Sequence, residues 1–196
     1  MIAFETLREQ FLRRLDSELP GKLTYHNAQH TQYVVNKAVE IAGKENVNGD
    51  QLELVKFAAL YHDAGFLIKK EEHEALGCGI IREEFPGYGF NEDEIEAVCG
   101  MVMATRIPQT PHNLLEKIVA DADLEYLGTD LFELGSDRLF REIRFDNPFF
   151  SPKEWIEIQI RFLSEHHYHT DFCKEYREPK KQLHIFSLKE KLKNIS

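Results

Sequence analysis

The sequence predicts an all-α fold, a helical bundle in a single domain. Apolar residues recur at three- and four-residue spacing along nearly the whole chain, and no stretch shows a convincing alternation of apolar and polar residues. The breakers Pro20-Gly21, Asn48-Gly49 and Pro86-Gly87 fall where those apolar stripes stop. At 196 residues the chain is long enough for one domain with a real core and too short to require two.

Phe4, Leu7, Phe11, Leu12 and Leu15 make one stripe, so a first helix is expected to about Leu19. From Asn27, the spacing of Val34, Val35, Ala38, Val39, Ile41 and Ala42 gives a second helix that ends at Gly43. Asn48-Gly49-Asp50 is a turn, with Asp50 expected as the N-cap of a third helix. That helix, QLELVKFAALYHDAGF, is too uniformly apolar for the surface, so it should be central, with His62-Asp63 at its C-terminal end just before Gly65. A fourth helix is expected over about 71–85 and a fifth from the capping-box-like Asn91-Glu92-Asp93-Glu94 through Val102. After Pro108 and Pro111, NLLEKIVADADLEYLG reads as a sixth, buried helix ending at Gly128. Two more follow, over about 130–145 and from Ser151-Pro152-Lys153-Glu154, where cap, first-turn proline and acid stand in their preferred places. From Thr170 the chain is helical with a break at Pro179. The chemistry-bearing motifs fall within 23–128, and the helices of 130–196 are expected to pack on them.

Charge and composition exclude several function classes. Lys and Arg number 24 against 34 Asp and Glu, a net charge of −10, which disfavours a nucleic acid polymer bound along a broad surface and leaves room for a small anion neutralised locally. The three cysteines, Cys78, Cys99 and Cys173, lack the paired spacing of a zinc knuckle or redox motif and read as reduced core residues. Charges every few residues in MIAFETLREQFLRRLDSEL interrupt any signal-peptide run, and no window approaches the roughly 18 apolar residues of a membrane span. A cytoplasmic protein with no membrane partner is expected.

Three segments bring metal-type ligands into apolar surroundings. TYHNAQH holds His26 and His30 four residues apart, which on a helix share one face. His62-Asp63 closes the apolar third helix, and Asp121-Ala122-Asp123 lies among Ile118, Val119, Leu124 and Leu127. Each acid could be satisfied locally by a cap, a lysine or a backbone amide. One bound cation would satisfy all three segments at once, and burial without compensation is costly. Two imidazole nitrogens and two carboxylate oxygens suit an octahedral Mn, Fe, Ni, Co or Mg ion with water in its open positions, whereas a closed zinc site would normally show thiolates. Spacing alone leaves open whether Asp121 or Asp123 ligates.

In the order YHNAQH, AALYHDAGF, VADADLEYLG, the sequence resembles the HD-domain superfamily of metal-dependent phosphohydrolases, whose signature is a histidine, a His-Asp doublet and a distal aspartate on helices of an all-α bundle. The resemblance covers about 23–128. It implies His30, His62, Asp63 and Asp123 as metal ligands, Asp123 being favoured over Asp121 by its Ala-Asp-Leu context. The Tyr-His-Asn-x-x-His stretch resembles the opening motif of cyclic-nucleotide phosphodiesterases, which implies that His30 ligates while His26 is the general acid. HEALG, His73 to Gly77, resembles part of the HD-GYP motif, but the later histidine pair of that branch is missing and Thr105 stands where a ligand would be expected. A fully ligated second ion is therefore in doubt, and His73 is left as a second-metal ligand, a substrate contact or an ordinary helix residue.

The function these readings imply is hydrolysis of a small phosphoester, a nucleotide foremost, by a metal-activated water, with one divalent ion required and a second admitted. Asp121 is expected to orient a ligand or water from behind the site. Arg106, after the fifth helix, and Lys69-Lys70, past the doublet, are candidate phosphate contacts together with His73. The alternative is a regulatory module that binds a nucleotide without turnover, and a third reading is a purely structural metal. HHYH, His166 to His169, lies outside the resemblance and reads as a polar helix end.

Overall fold

The computed structural model describes residues 2–195, and among these the regular structure is entirely helical. The α-helices run α1 Phe4–Glu18, α2 Ala28–Lys44, α3 Gly49–Tyr61, α4 His73–Glu84, α5 Glu92–Met103, α6 Leu114–Leu124, α7 Phe132–Asp146, α8 Pro152–Glu165, α9 Asp171–Tyr176 and α10 Glu178–Ile195. Short 3-10 turns follow α3, α4 and α6, at Ala64–Leu67, Phe85–Tyr88 and Glu125–Gly128.

α3 is the central element. Val55, Phe57, Ala58, Ala59, Leu60 and Tyr61 are all buried, and α2, α5 and α6 pack around them. α1 lays Phe4, Leu7, Phe11 and Leu15 on the same core, with the Phe11 and Tyr61 rings stacked at 4.0 Å. A second apolar cluster joins Tyr25, Leu124, Tyr126, Leu127 and Phe132 to residues of α8 and α10, so the C-terminal helices seal the end of α6. Cys78, Cys99 and Cys173 are free and buried, as expected of reduced core thiols.

Several boundaries differ from the sequence-based expectation. α3 begins at Gly49, whose φ of 56° lies in the left-handed region, so Asp50 sits inside the first turn and is not the N-cap. α4 is shorter than expected at both ends, because Phe85–Tyr88 tightens into a 3-10 turn around Pro86-Gly87. α6 stops at Leu124, and the last turn before Gly128 is 3-10. The helices α3 and α6, which carry His62-Asp63 and Asp123, therefore end at those residues: Asp63 at φ −103°, ψ 11° and Leu124 at φ −106°, ψ 12° both leave α geometry. Their carbonyl ends, the negative pole of each helix, are thus brought to one place.

The chain packs tightest where α4 meets the turn after α3. A Cβ on Gly65 would stand 1.9 Å from the His73 carbonyl oxygen and 2.6 Å from its carbon, both backbone atoms. Gly65→Ala must push α4 away from α3, and an overpacking cost of about 3 kcal/mol is expected to lower Tm by roughly 6–12 °C. A thermal melt of the variant checks this; an unchanged Tm would mean that the contact relaxes freely.

Candidate metal centre and active site

Local sequence sets up each side chain. Asn27 is the N-cap of α2: its Oδ1 accepts from the amides of Gln29 at 3.0 Å and His30 at 3.1 Å, while its Nδ2 donates to the Thr24 and Leu23 carbonyls at 3.0 and 3.3 Å. His30 is thereby fixed in the first turn of α2, facing inward with 7% exposure. His26 lies before the cap and outside the helix, so the shared helix face expected for His26 and His30 does not exist. Their rings approach anyway, with centroids 6.2 Å apart, because His26 is gripped from another element.

His30, His62 and Asp123 offer ligand atoms that all lie within 4.8 Å of one another. His30 Nε2 is 3.3 Å from His62 Nε2 and 3.1 Å from Asp123 Oδ1. Asp63 joins through Oδ2, which is 3.2 Å from His62 Nε2 and 3.6 Å from His30 Nε2. His62 Nδ1 is 2.8 Å from the Ala59 carbonyl, so Nδ1 carries the proton that donates there and Nε2 turns toward the cluster. Asp63 Oδ2 is buried without a hydrogen-bond partner.

The electrostatics ask for positive charge. Burial pulls the His62 pKa down, but the carboxylates of Asp63 and Asp123 outweigh it and raise it to about 9. Burial pushes Asp63 up, and His62 and His73 more than reverse this, holding it well below the usual carboxylate range. Two facing Nε2 atoms and two carboxylates, one of them with an orphaned oxygen, at the negative ends of two helices, fit a divalent cation.

His73 stands beside the cluster, its Nε2 3.4 Å from Asp63 Oδ1 and 3.5 Å from Glu74 Oε1, and its Nδ1 3.1 Å from the Lys70 carbonyl. Burial lowers its pKa, and Asp63 and Glu74 lift it above the ordinary histidine value. His26 stacks on Phe66 at 4.3 Å, and Phe66 in turn lies 4.4 Å from the His73 ring. Lys69 and Lys70 line a cleft with Lys22, Phe66 and Glu142, on the His26 side of the cluster.

Two expected site residues lie elsewhere. Asp121 is fully buried and its carboxylate accepts from the amides of His169 at 2.9 Å and Thr170 at 2.8 Å and from Thr170 Oγ1 at 2.6 Å. It pins the 169–170 segment to α6 instead of orienting a ligand, because residues two apart on a helix face different directions. Arg106 is exposed and lines a separate cleft with Gly100, His112 and Glu116, at the opposite end of α6 from Asp123. Seven residue steps of helix separate Glu116 from Asp123, about 10 Å at 1.5 Å per residue, and the cleft of Arg106 shares no residue with the cluster.

Sequence reasoning missed Glu142. From α7 its Oε1 is 2.5 Å from His26 Nδ1, and its Oε2 accepts from the amides of Tyr25 at 2.9 Å and His26 at 3.1 Å. Burial raises its pKa, but His26 and these amides bring it below the usual carboxylate value. The available signal was that Arg138 and Glu142 continue the stripe begun by Leu131 and Leu134, putting charge where apolar side chains belong.

A divalent ion titrated into the metal-free protein is expected to bind with a stoichiometry of one. His62→Ala and Asp123→Asn should each weaken it by more than the roughly 10–100-fold that outer-shell partners cost, and Asp121→Asn should leave affinity unchanged while lowering Tm. Calorimetry and elemental analysis check this; equal loss of affinity in Asp121→Asn would put Asp121 back at the ion.

Among known proteins, the HD domain family model matches residues 27–125, from the Asn27 cap to the first residue past α6. Similar solved structures include a predicted HD superfamily hydrolase from an uncultured Thermotogales bacterium, at 20% identity and TM-score 0.63, covering 96% of this chain and 92% of that one. Bacillus subtilis YpgQ, solved in complex with ADP, aligns at 19% identity and TM-score 0.67 over 98% and 97% of the two chains. The Lin1889 protein of Listeria innocua aligns at 16% identity and TM-score 0.65, over 98% of each chain. No curated protein matches the sequence significantly. No helix among the described residues is long and apolar enough to cross a membrane.

Proposed function

Because this chain belongs to the HD-domain family, we propose that it is a metal-dependent phosphohydrolase that cleaves a small phosphoester, a nucleotide being the best-supported class. The observation that carries this reading is the convergence of ligand atoms of His30, His62 and Asp123, with an unpartnered buried oxygen of Asp63 within 3.6 Å of both imidazoles. Nucleotide chemistry draws support from YpgQ, a protein of like fold that was captured with ADP.

The residues that would hold the ion are His30, His62, Asp63 and Asp123, and their mixed nitrogen and oxygen donors suit Mn, Fe, Ni, Co or Mg. When bound, such an ion polarises a phosphoryl oxygen and lowers the pKa of water. The rest of the chemistry belongs to the chain. With Nδ1 held by Glu142, His26 keeps Nε2 as the ring nitrogen free to give a proton to the departing oxygen. The Glu142 carboxylate fixes the orientation of the ring, so it acts as a positioning residue. Phe66, stacked against His26 and touching His73, excludes water from that side. Lys69 and Lys70 stand on the rim of the same cleft, where they supply charge for a phosphate, and His73 is a further contact or the ligand of a second ion.

His26→Ala is expected to lower kcat by about 10²–10⁴-fold with the bound ion retained, and Glu142→Gln to lower it less while also leaving the ion in place. A phosphoester screen with Mn, Co, Ni and Mg added in turn, run beside elemental analysis, checks both. Nucleotide binding with no turnover under any metal would establish the regulatory module instead.

A further inference from the structure

Beside His30 opens a cavity of about 150 Å³, walled by Tyr25, Tyr33 and Tyr126 and by the α7 residues Leu134, Gly135 and Arg138. Three features of it point to an anion. No acidic residue lines it, although the chain carries 34 of them. Arg138 is half-buried, yet among the described residues it has no carboxylate partner, whereas the other half-buried arginines, Arg8, Arg14 and Arg177, are each paired with glutamates. Arg138 also stands one helical turn from Glu142 on the same face of α7, so the helix that grips His26 contributes Arg138 to the cavity that His30 borders.

The wall of the cavity is also largely aromatic, a surface on which a ring can stack. The Tyr25 ring lies 4.6 Å from that of His30 and 5.7 Å from that of Tyr126. The Tyr33 hydroxyl is spent on Glu125, leaving its ring as wall. A Cβ on Gly135 would come within 2.6 Å of Tyr126 Cε2, so glycine there lets the Tyr126 ring close the slot against α7. Gln29, exposed at the mouth, offers an amide donor and acceptor.

We propose that Arg138 recognises a second anionic group of the substrate, beyond the phosphate at the metal-ligand cluster, and that the tyrosine slot takes the ring of the same molecule. The preferred substrate is then a nucleoside phosphate with at least two phosphates, selected over the monophosphate. A planar guanidinium with no competing carboxylate meets a phosphate in a bidentate geometry that lysine cannot copy. This rests on the phosphohydrolase reading for the place of the reacting phosphate.

The test compares ADP with AMP on the Mn-loaded full chain, wild type against Arg138→Ala and Arg138→Lys, by calorimetry and by hydrolysis, with melting temperature and bound Mn certifying each variant. The wild type is expected to favour ADP at least about 10-fold, one charge-assisted phosphate contact; Arg138→Ala loses that preference, and Arg138→Lys recovers part of it. A wild type without the preference, or an Arg138→Ala chain that keeps it, overturns the inference even if phosphoesters are hydrolysed. A preference that depends on Arg138 in a chain that hydrolyses nothing sustains the inference and removes the hydrolase reading.

Discussion

An ionised carboxylate oxygen in a protein interior needs a donor or a cation, and Asp63 Oδ2 is buried with no hydrogen-bond partner. It faces two imidazole nitrogens that are themselves 3.3 Å apart, with Asp123 on the far side. Much of the surrounding structure follows from keeping those four side chains together. α3 and α6 are buried over their C-terminal halves and leave α geometry at the ligands, so their carbonyl ends meet there. The Asn27 cap sets His30 in the first turn of α2, and the absence of a side chain at Gly65 lets α4 come close enough for His73 to reach Asp63.

α7 changes role between sequence and structure. As a sequence it is one of the helices of 130–196 expected to pack on the motif-bearing segments. In the fold, Glu142 holds the His26 ring and accepts from the backbone amides of Tyr25 and His26, and Arg138 opens onto the adjoining cavity. A single helix thus holds the His26 ring through Glu142 and contributes Arg138 to the cavity that His30 borders.

Burial of acids on α6 has two different explanations two residues apart. Asp123 turns to the imidazoles, while Asp121 is consumed by the amides and hydroxyl of 169–170. Both were legible as acids in an apolar helix, and both are compensated, but by different partners. Glu125, also fully buried, answers to Tyr33 and Arg177. An acid in an apolar stripe thus signals a required partner without saying which kind.

The sequence by itself determined the all-helical class, most helix positions and the ligand-bearing segments, because periodicity, caps and breakers act over a few residues and the His-Asp doublet stands out against its apolar helix. Tertiary structure alone decided that His26 approaches from a loop, that Arg106 belongs to another cleft, and that Glu142 and Arg138 face the site. Those outcomes depend on packing between segments far apart in the chain, 116 residues in the case of His26 and Glu142. No local pattern encodes a contact across that separation; it exists only once α7 is laid against the end of α6 and the segment before α2.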